Sequence, residues 1–336
     1  STLIMYWSQV RVLAGPPKKI CIKHSMKKII CITPIDHLKG LKNKLKSKGH
    51  LLYKPNIKAL ELKKILKKDN KINTIFCNPN RQGYVLNRHI LENTSIRLIN
   101  TASTGLNHIN LNDCKKLGIK ILSLTKDFNL IKKLPSTSEL AFGLMINLQR
   151  KIFQSFQSVK NKKWDYTSFI GQELASLTIG IIGLGRLGSL MAKYAKAFGM
   201  KVFYYDPFKK DKKFKKVNLK ELIEKSDVIS IHAHVNNQTK YLINKMSLKV
   251  TKKKPIIINT SRGEIVKEED IIWALKNKVI SGYGTDVIEK EFTDIKKSPI
   301  IKNIKKYNII VTPHIGGMTH QGQSRAYSYA IRKLKK

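Results

Sequence analysis

The sequence contains few acidic residues and no closely spaced cysteine pair. Its 336 residues include 22 Asp and Glu against 65 Lys and Arg, so the formal net charge is +43 at pH 7. The four cysteines show no C-x-x-C spacing, and the H-x-H formed by His232 and His234 has no third ligand nearby, even if a strand put both on one face. We therefore expect no metal, and reduced thiols as in a cytoplasmic protein.

The sequence also lacks a long apolar run. No stretch reaches the roughly 18 apolar residues that span a bilayer, so we expect no membrane segment. Residues 1–25 lack a basic stretch followed by a long apolar core, which argues against a signal peptide. Because Met26 directly precedes the first strand-like stretch, we interpret residues 1–25 as a disordered or non-native extension.

The positive charge indicates no specific partner. Lysines are spread over the whole length, and no helix-turn-helix, zinc-finger or RNA-binding aromatic pattern stands out. Charge of this size attracts nucleic acid or anionic lipid without sequence preference at low salt. We expect no specific nucleic-acid partner, and we interpret lysine runs such as 209–216 as solvated surface.

The first third of the chain alternates strand-like and helix-like segments. The chain length itself favours two domains. Strands are expected at 27–33, 50–53, 72–78, 96–101 and 119–124, with helices near 37–48, 57–68 and 111–117. Such alternation predicts a parallel sheet covered by helices, here a small flavodoxin-like α/β domain.

A second α/β series follows a long helical stretch. Residues 136–156 combine an apolar face with a Ser136-x-x-Glu139 capping box, which predicts one helix bridging two domains. Six strands are expected, from Leu177 and near 201–205, 228–232, 255–259, 280–285 and 308–312, which would complete a dinucleotide-binding sheet. A last helix near 321–334 would return to the first domain. We therefore predict a Rossmann domain at 135–313, inserted into a substrate domain at 26–134 plus 314–336.

The stretch 178–188, T-I-G-I-I-G-L-G-R-L-G, carries a G-x-G-x-x-G fingerprint between a strand and a helix. Gly183 would permit the tight turn, Gly185 would let a pyrophosphate approach the backbone, and Gly188 would let helix and strand pack closely. Asp206 ends the next strand, where a carboxylate can bind an adenosine ribose. These residues predict dinucleotide binding, with NAD favoured because Asp206 would repel a 2′-phosphate; Lys209 and Lys210 nearby leave NADP as the alternative.

Charged residues follow three of the later strands. Arg262, Asp286 with Glu291, and His314 come after the expected fourth, fifth and sixth strands, and ligands of open α/β sheets bind beyond such carboxyl ends. A His paired with a carboxylate suits proton transfer, and an Arg suits binding of a substrate carboxylate. The arrangement predicts hydride transfer between a nicotinamide and a hydroxyl-bearing carbon.

Several motifs in the same order resemble the D-isomer-specific 2-hydroxyacid dehydrogenase family. They cover most of 100–325 and include N-T-A-S-T-G-L-N-H-I-N at 100–110, S-T-S-E-L-A-F-G-L-M at 136–145, the glycine loop with Y-Y-D-P, S-D-V-I-S-I-H at 226–232, I-N-T-S-R-G-E-I-V at 258–266, G-T-D-V-I-E-K-E at 284–291 and T-P-H-I-G-G-M-T at 312–319. The resemblance implies NAD-dependent interconversion of a 2-keto acid and a D-2-hydroxy acid.

The resemblance also implies a role for individual residues. His314 would be the general acid/base, Glu291 its carboxylate partner, and Arg262 the cation that binds substrate together with the backbone of Thr104 and Gly105. The expected cofactor contacts are Gly183, Gly185, Arg186, Leu187, Gly188, Asp206, His232, Thr260, Asp286 and Gly316, with Asp286 beside the nicotinamide. The family further implies a homodimer formed through the nucleotide-binding domains.

Two alternatives remain open at this point. The first is activity on 3-phosphoglycerate, whose phosphate would need cations at the first-domain loops. Lysine is too widespread in the sequence to distinguish this substrate from an unphosphorylated one. Substrate choice depends on residues near 77–83 and 101–105. A non-catalytic NAD-binding sensor or scaffold would keep the glycine loop, but it would have no need of Arg262, Glu291 and His314 together.

Overall fold

The computed structural model describes residues 27–79, 83–289, 291 and 294–334. The extension predicted at 1–25 lies outside the described residues. The chain forms two parallel sheets with helices on their faces, which confirms the predicted α/β class.

The first sheet contains five parallel strands in the order β2-β1-β3-β4-β5. Its strands are β1 (Lys28–Cys31), β2 (His50–Tyr53), β3 (Ile72–Cys77), β4 (Leu98–Thr101) and β5 (Lys120–Leu122). Its helices are α1 (Leu41–Lys46), α2 (Ala59–Lys68), α3 (Arg88–Leu91), α4 (Leu111–Lys116) and α5 (Phe128–Ile131). This strand order is the flavodoxin-like one, and the short helices α3 and α5 were not predicted.

The predicted helix over 136–156 is two helices, α6 (Ser136–Gln149) and α7 (Ile152–Lys160). The break occurs because Lys151 adopts a left-handed conformation with φ of 49°. The predicted capping box is also wrong. Helix α6 begins after Pro135, whose carbonyl accepts bonds from the amides of Ser138 and Glu139, and no side chain caps it.

The second sheet contains seven parallel strands in the order β12-β11-β10-β9-β6-β7-β8. Its strands are β6 (Thr178–Ile182), β7 (Lys201–Tyr205), β8 (Lys215–Lys216), β9 (Val228–Ile231), β10 (Ile256–Asn259), β11 (Gly282–Thr285) and β12 (Ile309–Val311). Its helices are α8 (Arg186–Ala197), α9 (Leu219–Lys225), α10 (Lys245–Leu248), α11 (Glu268–Lys276) and α12 (Pro299–Asn303), with 3₁₀ turns at Thr167–Phe169, Leu174–Ser176, Gly263–Ile265 and Ile295–Lys297. Numbered within the sheet, the order is 3-2-1-4-5-6-7, the doubly wound Rossmann arrangement.

The edge strand β8, which was not predicted, lies in the lysine run 209–216 that we interpreted as solvated surface. Lys215 and Lys216 are exposed but pair with β7, and the next residue, Val217, is buried in the core and donates its amide to Tyr204. The run therefore contributes an edge strand.

The last helix, α13 (His320–Lys333), packs on the first sheet. Its buried Tyr327 and Ile331 share a hydrophobic cluster with Ile29 and Phe76, and Asn100 donates its side-chain amide to the Ala330 carbonyl at 2.8 Å. The inner strands of the second sheet are buried on both faces, as is usual for parallel sheets. Within the described ranges, no helix is long and apolar enough to cross a membrane.

Candidate active site

The three fingerprint glycines have the three geometries predicted for them. Gly183 has a positive φ of 87°, and a Cβ on it would lie 2.9 Å from the His232 carbonyl oxygen. A Cβ on Gly188 would lie 2.0 Å from the Gly183 carbonyl oxygen, so helix α8 meets β6 at backbone contact. A Cβ on Gly185 would meet no atom within 4 Å, which leaves open space at the helix N-terminus. The loop therefore has the shape that a pyrophosphate needs.

Arg186 and Leu187 attach the glycine loop to the domain junction. The Arg186 guanidinium donates to the carbonyl of Leu134, and the Leu187 carbonyl accepts a bond from the hydroxyl of Ser138 at 3.0 Å. These bonds orient the Arg186 side chain toward the start of α6, and they hold the loop against the segment that joins the two sheets.

Asp206 lies beside the glycine loop, as predicted. Its carboxylate accepts backbone amides of Leu184 at 2.8 Å and of Phe208 and Lys209 at 2.9 Å. The Lys209 ammonium donates to the Leu184 carbonyl at 2.8 Å and to the Ser189 hydroxyl at 2.9 Å. The sequence analysis missed this lysine contact, because the charged run around it resembles ordinary surface.

His232 and Thr260 each keep a buried polar atom without a hydrogen-bond partner, Nδ1 of His232 and Oγ1 of Thr260. His232 Nε2 bonds the Ser230 hydroxyl at 2.8 Å, and burial lowers the pKa of this imidazole to about 4. His232 follows β9 and Thr260 follows β10, at the sheet edge that carries the glycine loop. Their free atoms could therefore form hydrogen bonds with a ligand bound at this edge.

His232 and His234 both lie beyond the end of the strand that precedes them. Strand β9 ends at Ile231, and His234 is exposed. In the part of the chain that the structure describes, no group of three or more His, Cys, Asp or Glu is arranged to hold a metal ion.

Arg262 meets the first domain at Gly105. A Cβ on Gly105 would lie 2.2 Å from Nη2 of Arg262, so the guanidinium lies against the bare backbone of this glycine. Arg262 Nη1 also donates to the Ser261 carbonyl at 2.7 Å. The Gly105 amide bonds the Ser103 hydroxyl at 3.1 Å, and the carbonyl of Thr104 accepts from Thr125 at 3.1 Å. The predicted substrate residues of the two domains therefore lie together.

His314 and Glu291 form the predicted pair. Nδ1 of His314 lies 3.0 and 2.9 Å from the two carboxylate oxygens of Glu291, and the side chains are 40% and 17% exposed. Burial favours a lower pKa for His314, but the bond and charge of Glu291 outweigh it, assisted by the charge of Asp286 and opposed by that of Arg262, so the pKa is raised. Because Nδ1 is engaged, Nε2 is the nitrogen left for a substrate.

Asp286 holds the turn that carries His314. Its buried carboxylate accepts the Thr312 hydroxyl at 2.6 Å and the amides of Ile315 and Gly316 at 2.7 Å each. His314 itself has a left-handed φ of 55°, which a non-glycine residue adopts at a cost. The Asp286 side chain and the Gly316 amide, both predicted to contact the cofactor, bond each other in this turn.

His108 is a residue near the site that the sequence analysis did not single out. Its buried ring bonds the Thr101 hydroxyl at 2.9 Å. Burial, together with the charges of Arg262 and His314, lowers its pKa to about 4. The signal was present, since His108 stands within the motif at 100–110.

Comparisons with known proteins identify a family for this chain. The family model described as "D-isomer specific 2-hydroxyacid dehydrogenase, NAD binding domain" matches residues 142–316. A hydroxypyruvate reductase of Thermotoga maritima is 36% identical over 250 residues, which cover 72% of this chain and 78% of that protein. A D-3-phosphoglycerate dehydrogenase of Bacillus subtilis is 33% identical over 236 residues, 68% of this chain but only 43% of the longer relative.

A solved structure is similar over almost the whole chain. The D-lactate dehydrogenase of Aquifex aeolicus, in complex with NAD and lactic acid, has a TM-score of 0.75 and 28% identity, with 92% of this chain and 94% of that chain covered. The similarity therefore includes both sheets, beyond the single domain that the family model covers.

Proposed function

This chain belongs to the D-isomer specific 2-hydroxyacid dehydrogenase family, and from that membership we propose that it is an NAD-dependent oxidoreductase interconverting a 2-keto acid and a D-2-hydroxy acid. The observation that carries the proposal is a convergence of three side chains, with Arg262 close enough for its charge to affect the pKa of His314. His314 bonds Glu291, while Arg262 lies against Gly105 of the other domain. A non-catalytic scaffold has no use for this convergence, which makes the enzymatic function the better supported one.

In the proposed reduction, His314 donates a proton to the substrate oxygen from Nε2. Glu291 orients the ring through Nδ1 and favours its charged form. Arg262 binds the substrate carboxylate with the backbone of Thr104 and Gly105, and its charge polarises the adjacent carbonyl. In oxidation, His314 accepts the proton back.

The residues at the glycine loop fit an NAD molecule. Its pyrophosphate would bind at Gly185, Arg186 and Leu187, its adenosine ribose at Asp206, and its nicotinamide beside Asp286, while the free polar atoms of His232 and Thr260 offer further contacts. When bound, NAD supplies or accepts the hydride. Asp206 disfavours a 2′-phosphate, so we expect NADH to be preferred over NADPH, and we expect the nearby cations Lys209 and Lys210 to reduce this preference.

A keto-acid panel tests the proposal. The purified chain is assayed with NADH and with NADPH on glyoxylate, hydroxypyruvate, pyruvate and 3-phosphohydroxypyruvate. We expect turnover with at least one unphosphorylated keto acid and NADH. Absence of turnover with every pair would defeat the enzymatic function, and exclusive use of the phosphorylated substrate would favour the phosphoglycerate dehydrogenase alternative, which the name of the Bacillus subtilis relative suggests.

We also propose a homodimer formed through the nucleotide-binding domain. Helix α7 and the segment after it expose large apolar side chains: Ile152, Phe153, Phe156, Val159, Trp164, Tyr166 and Ile170. Trp164 is 88% exposed, and apolar patches of this kind are typical of protein interfaces. Light scattering should give twice the chain mass, and Phe156→Lys should reduce it to the monomer.

The division into a substrate domain at 26–134 plus 314–336 and a dinucleotide domain at 135–313 also stays a proposal. It is supported by α6, which packs on the second sheet, and by α13, which packs on the first.

A further inference from the structure

Glu268 is a buried carboxylate outside the groups that the proposed reaction uses. It is the first residue of helix α11 and is only 3% exposed. Its Oε1 accepts the backbone amide of Glu289 at 2.8 Å, and its Oε2 accepts the hydroxyl of Ser298 at 2.5 Å. Both oxygens are therefore engaged.

The two partners of Glu268 stand on either side of Glu291 in the chain. Glu289 precedes Glu291 by two positions, and Ser298 follows it and caps helix α12 by accepting the Ile301 amide at 3.4 Å. One carboxylate thus ties both ends of the segment that presents Glu291 to His314.

Two further contacts hold the same segment. A Cβ on Gly263 would lie 2.1 Å from the carbonyl carbon of Ile288, so the loop after Arg262 packs directly on the backbone before Glu289. The Tyr241 hydroxyl donates to Oε1 of Glu289 at 2.5 Å. The position of Glu291 is therefore coupled to the loop that carries Arg262.

Burying the Glu268 carboxylate at this position costs free energy. Burial raises the pKa of Glu268, which means that the interior disfavours its charged form. Ile265 and Ile271, three positions before and after Glu268, and Ile300, two positions after Ser298, are fully buried and apolar. A hydrophobic side chain commonly stabilises such an interior at least as well as a buried charge does. Packing alone does not explain a polar side chain here, whereas the two hydrogen bonds that Glu268 makes do.

We propose that Glu268 is a positioning residue, which by bonding Glu289 and Ser298 fixes Glu291 against the imidazole of His314. The proposal rests on the proposed function, because Glu291 matters only if His314 transfers a proton. The positioning requires two hydrogen bonds and no charge, because the Ser298 hydroxyl can accept a bond as well as donate one. Gln at 268 can still accept from the Glu289 amide through its carbonyl and donate to the Ser298 hydroxyl.

Three variants test this assignment: Glu268→Ala, Glu268→Gln and Ser298→Ala. In Glu268→Ala we expect kcat/KM for keto-acid reduction to fall about tenfold or more, because small displacements of a catalytic group lower the rate strongly. The falling limb of its pH profile of kcat/KM should move to lower pH, because Glu291 is no longer held against His314 and raises its pKa less. The KM for NADH should stay unchanged. Glu268→Gln should restore most of both values, and Ser298→Ala should shift the limb in the same direction by less.

A wild-type pH limb in a folded Glu268→Ala protein would overturn the proposal, and so would a Glu268→Gln variant no better than Glu268→Ala. If Glu268→Ala does not fold, Ser298→Ala decides, and an unshifted limb there counts against the proposal. The pKa of His314 can also be measured without turnover by NMR titration of its imidazole resonance. That resonance is identified by its absence from the spectrum of His314→Asn. Failure of the proposed function and failure of this inference can therefore be told apart.

Discussion

The glycine loop and the His314 turn lie at the same edge of one sheet but are built differently. The loop at 183–188 takes its shape from the backbone, because positions 183 and 188 leave no room for a Cβ. The turn at 312–316 takes its shape from buried side chains, with Asp286 bonding a hydroxyl and two amides within it. Steric exclusion thus shapes the cofactor end, and hydrogen bonding shapes the catalytic end.

This difference implies that the two ends respond separately to mutation. A change at a glycine of the loop should alter cofactor affinity or folding. A change at His314 or at its partner Glu291 should alter proton transfer, while cofactor binding persists.

The largest effect is expected at His314. Replacement by Asn removes the acid/base group, and positioned acid/base groups typically contribute about 10² to 10⁴ in rate. We expect kcat to fall by that amount, while fluorescence titration gives an unchanged affinity for NADH. Loss of NADH binding in a folded variant would contradict the separation of the two ends.

A matched pair of alanine substitutions separates the two roles at the glycine loop. In Gly188→Ala the new methyl would collide with the Gly183 carbonyl, and we expect the free energy of unfolding to drop by about 1–3 kcal/mol. In Gly185→Ala the methyl meets no protein atom, so the melting temperature should stay the same. The same methyl would occupy the pyrophosphate approach, and we expect the Kd for NADH to rise about tenfold or more. Equal melting temperatures for both variants would contradict this assignment.

Asp286→Asn should loosen the catalytic turn. An amide cannot accept all three bonds that the carboxylate accepts, because its NH₂ group faces donors. With a buried donor left unpaired, we expect a loss of about 1–3 kcal/mol in the free energy of unfolding, measured by urea denaturation. We also expect about a tenfold drop in kcat. Thr312→Val, which removes only one of the bonds, is the control and should lose less of both.

The smallest expected effect is a shift in pH dependence. Reduction requires the protonated imidazole, so kcat/KM should be highest below the raised pKa of His314 and fall as the pH rises through it. Oxidation should show the opposite limb. In Glu291→Gln the carboxylate charge is gone, and the falling limb should move to lower pH. A limb that stays in place would show that Glu291 does not control this histidine.

Much of the fold was predictable because β-branched runs and glycines act locally. The expected strands near 50–53, 201–205 and 228–232 match β2, β7 and β9 to within one residue. The break at Lys151 and the strand at Lys215 were not predictable, since one depends on a left-handed residue and the other on pairing with an edge. Neither has a signal in apolar periodicity.

The candidate site divides in the same way. Its charged residues were predictable, because strand ends meet at one sheet edge and Arg262, Glu291 and His314 each follow a strand. The partners of Glu268 and the ammonium contacts of Lys209 were not, because they join residues up to 30 positions apart through side-chain bonds.

The sequence by itself determined most of the alternation of strands and helices, the glycine loop and the candidate reactive groups, because these depend on neighbours in the chain. Only the tertiary structure decided that Arg262 lies on Gly105 of the other domain and that a buried acid ties the ends of the Glu291 segment. Such contacts arise from packing between distant elements, whose distances no local pattern encodes.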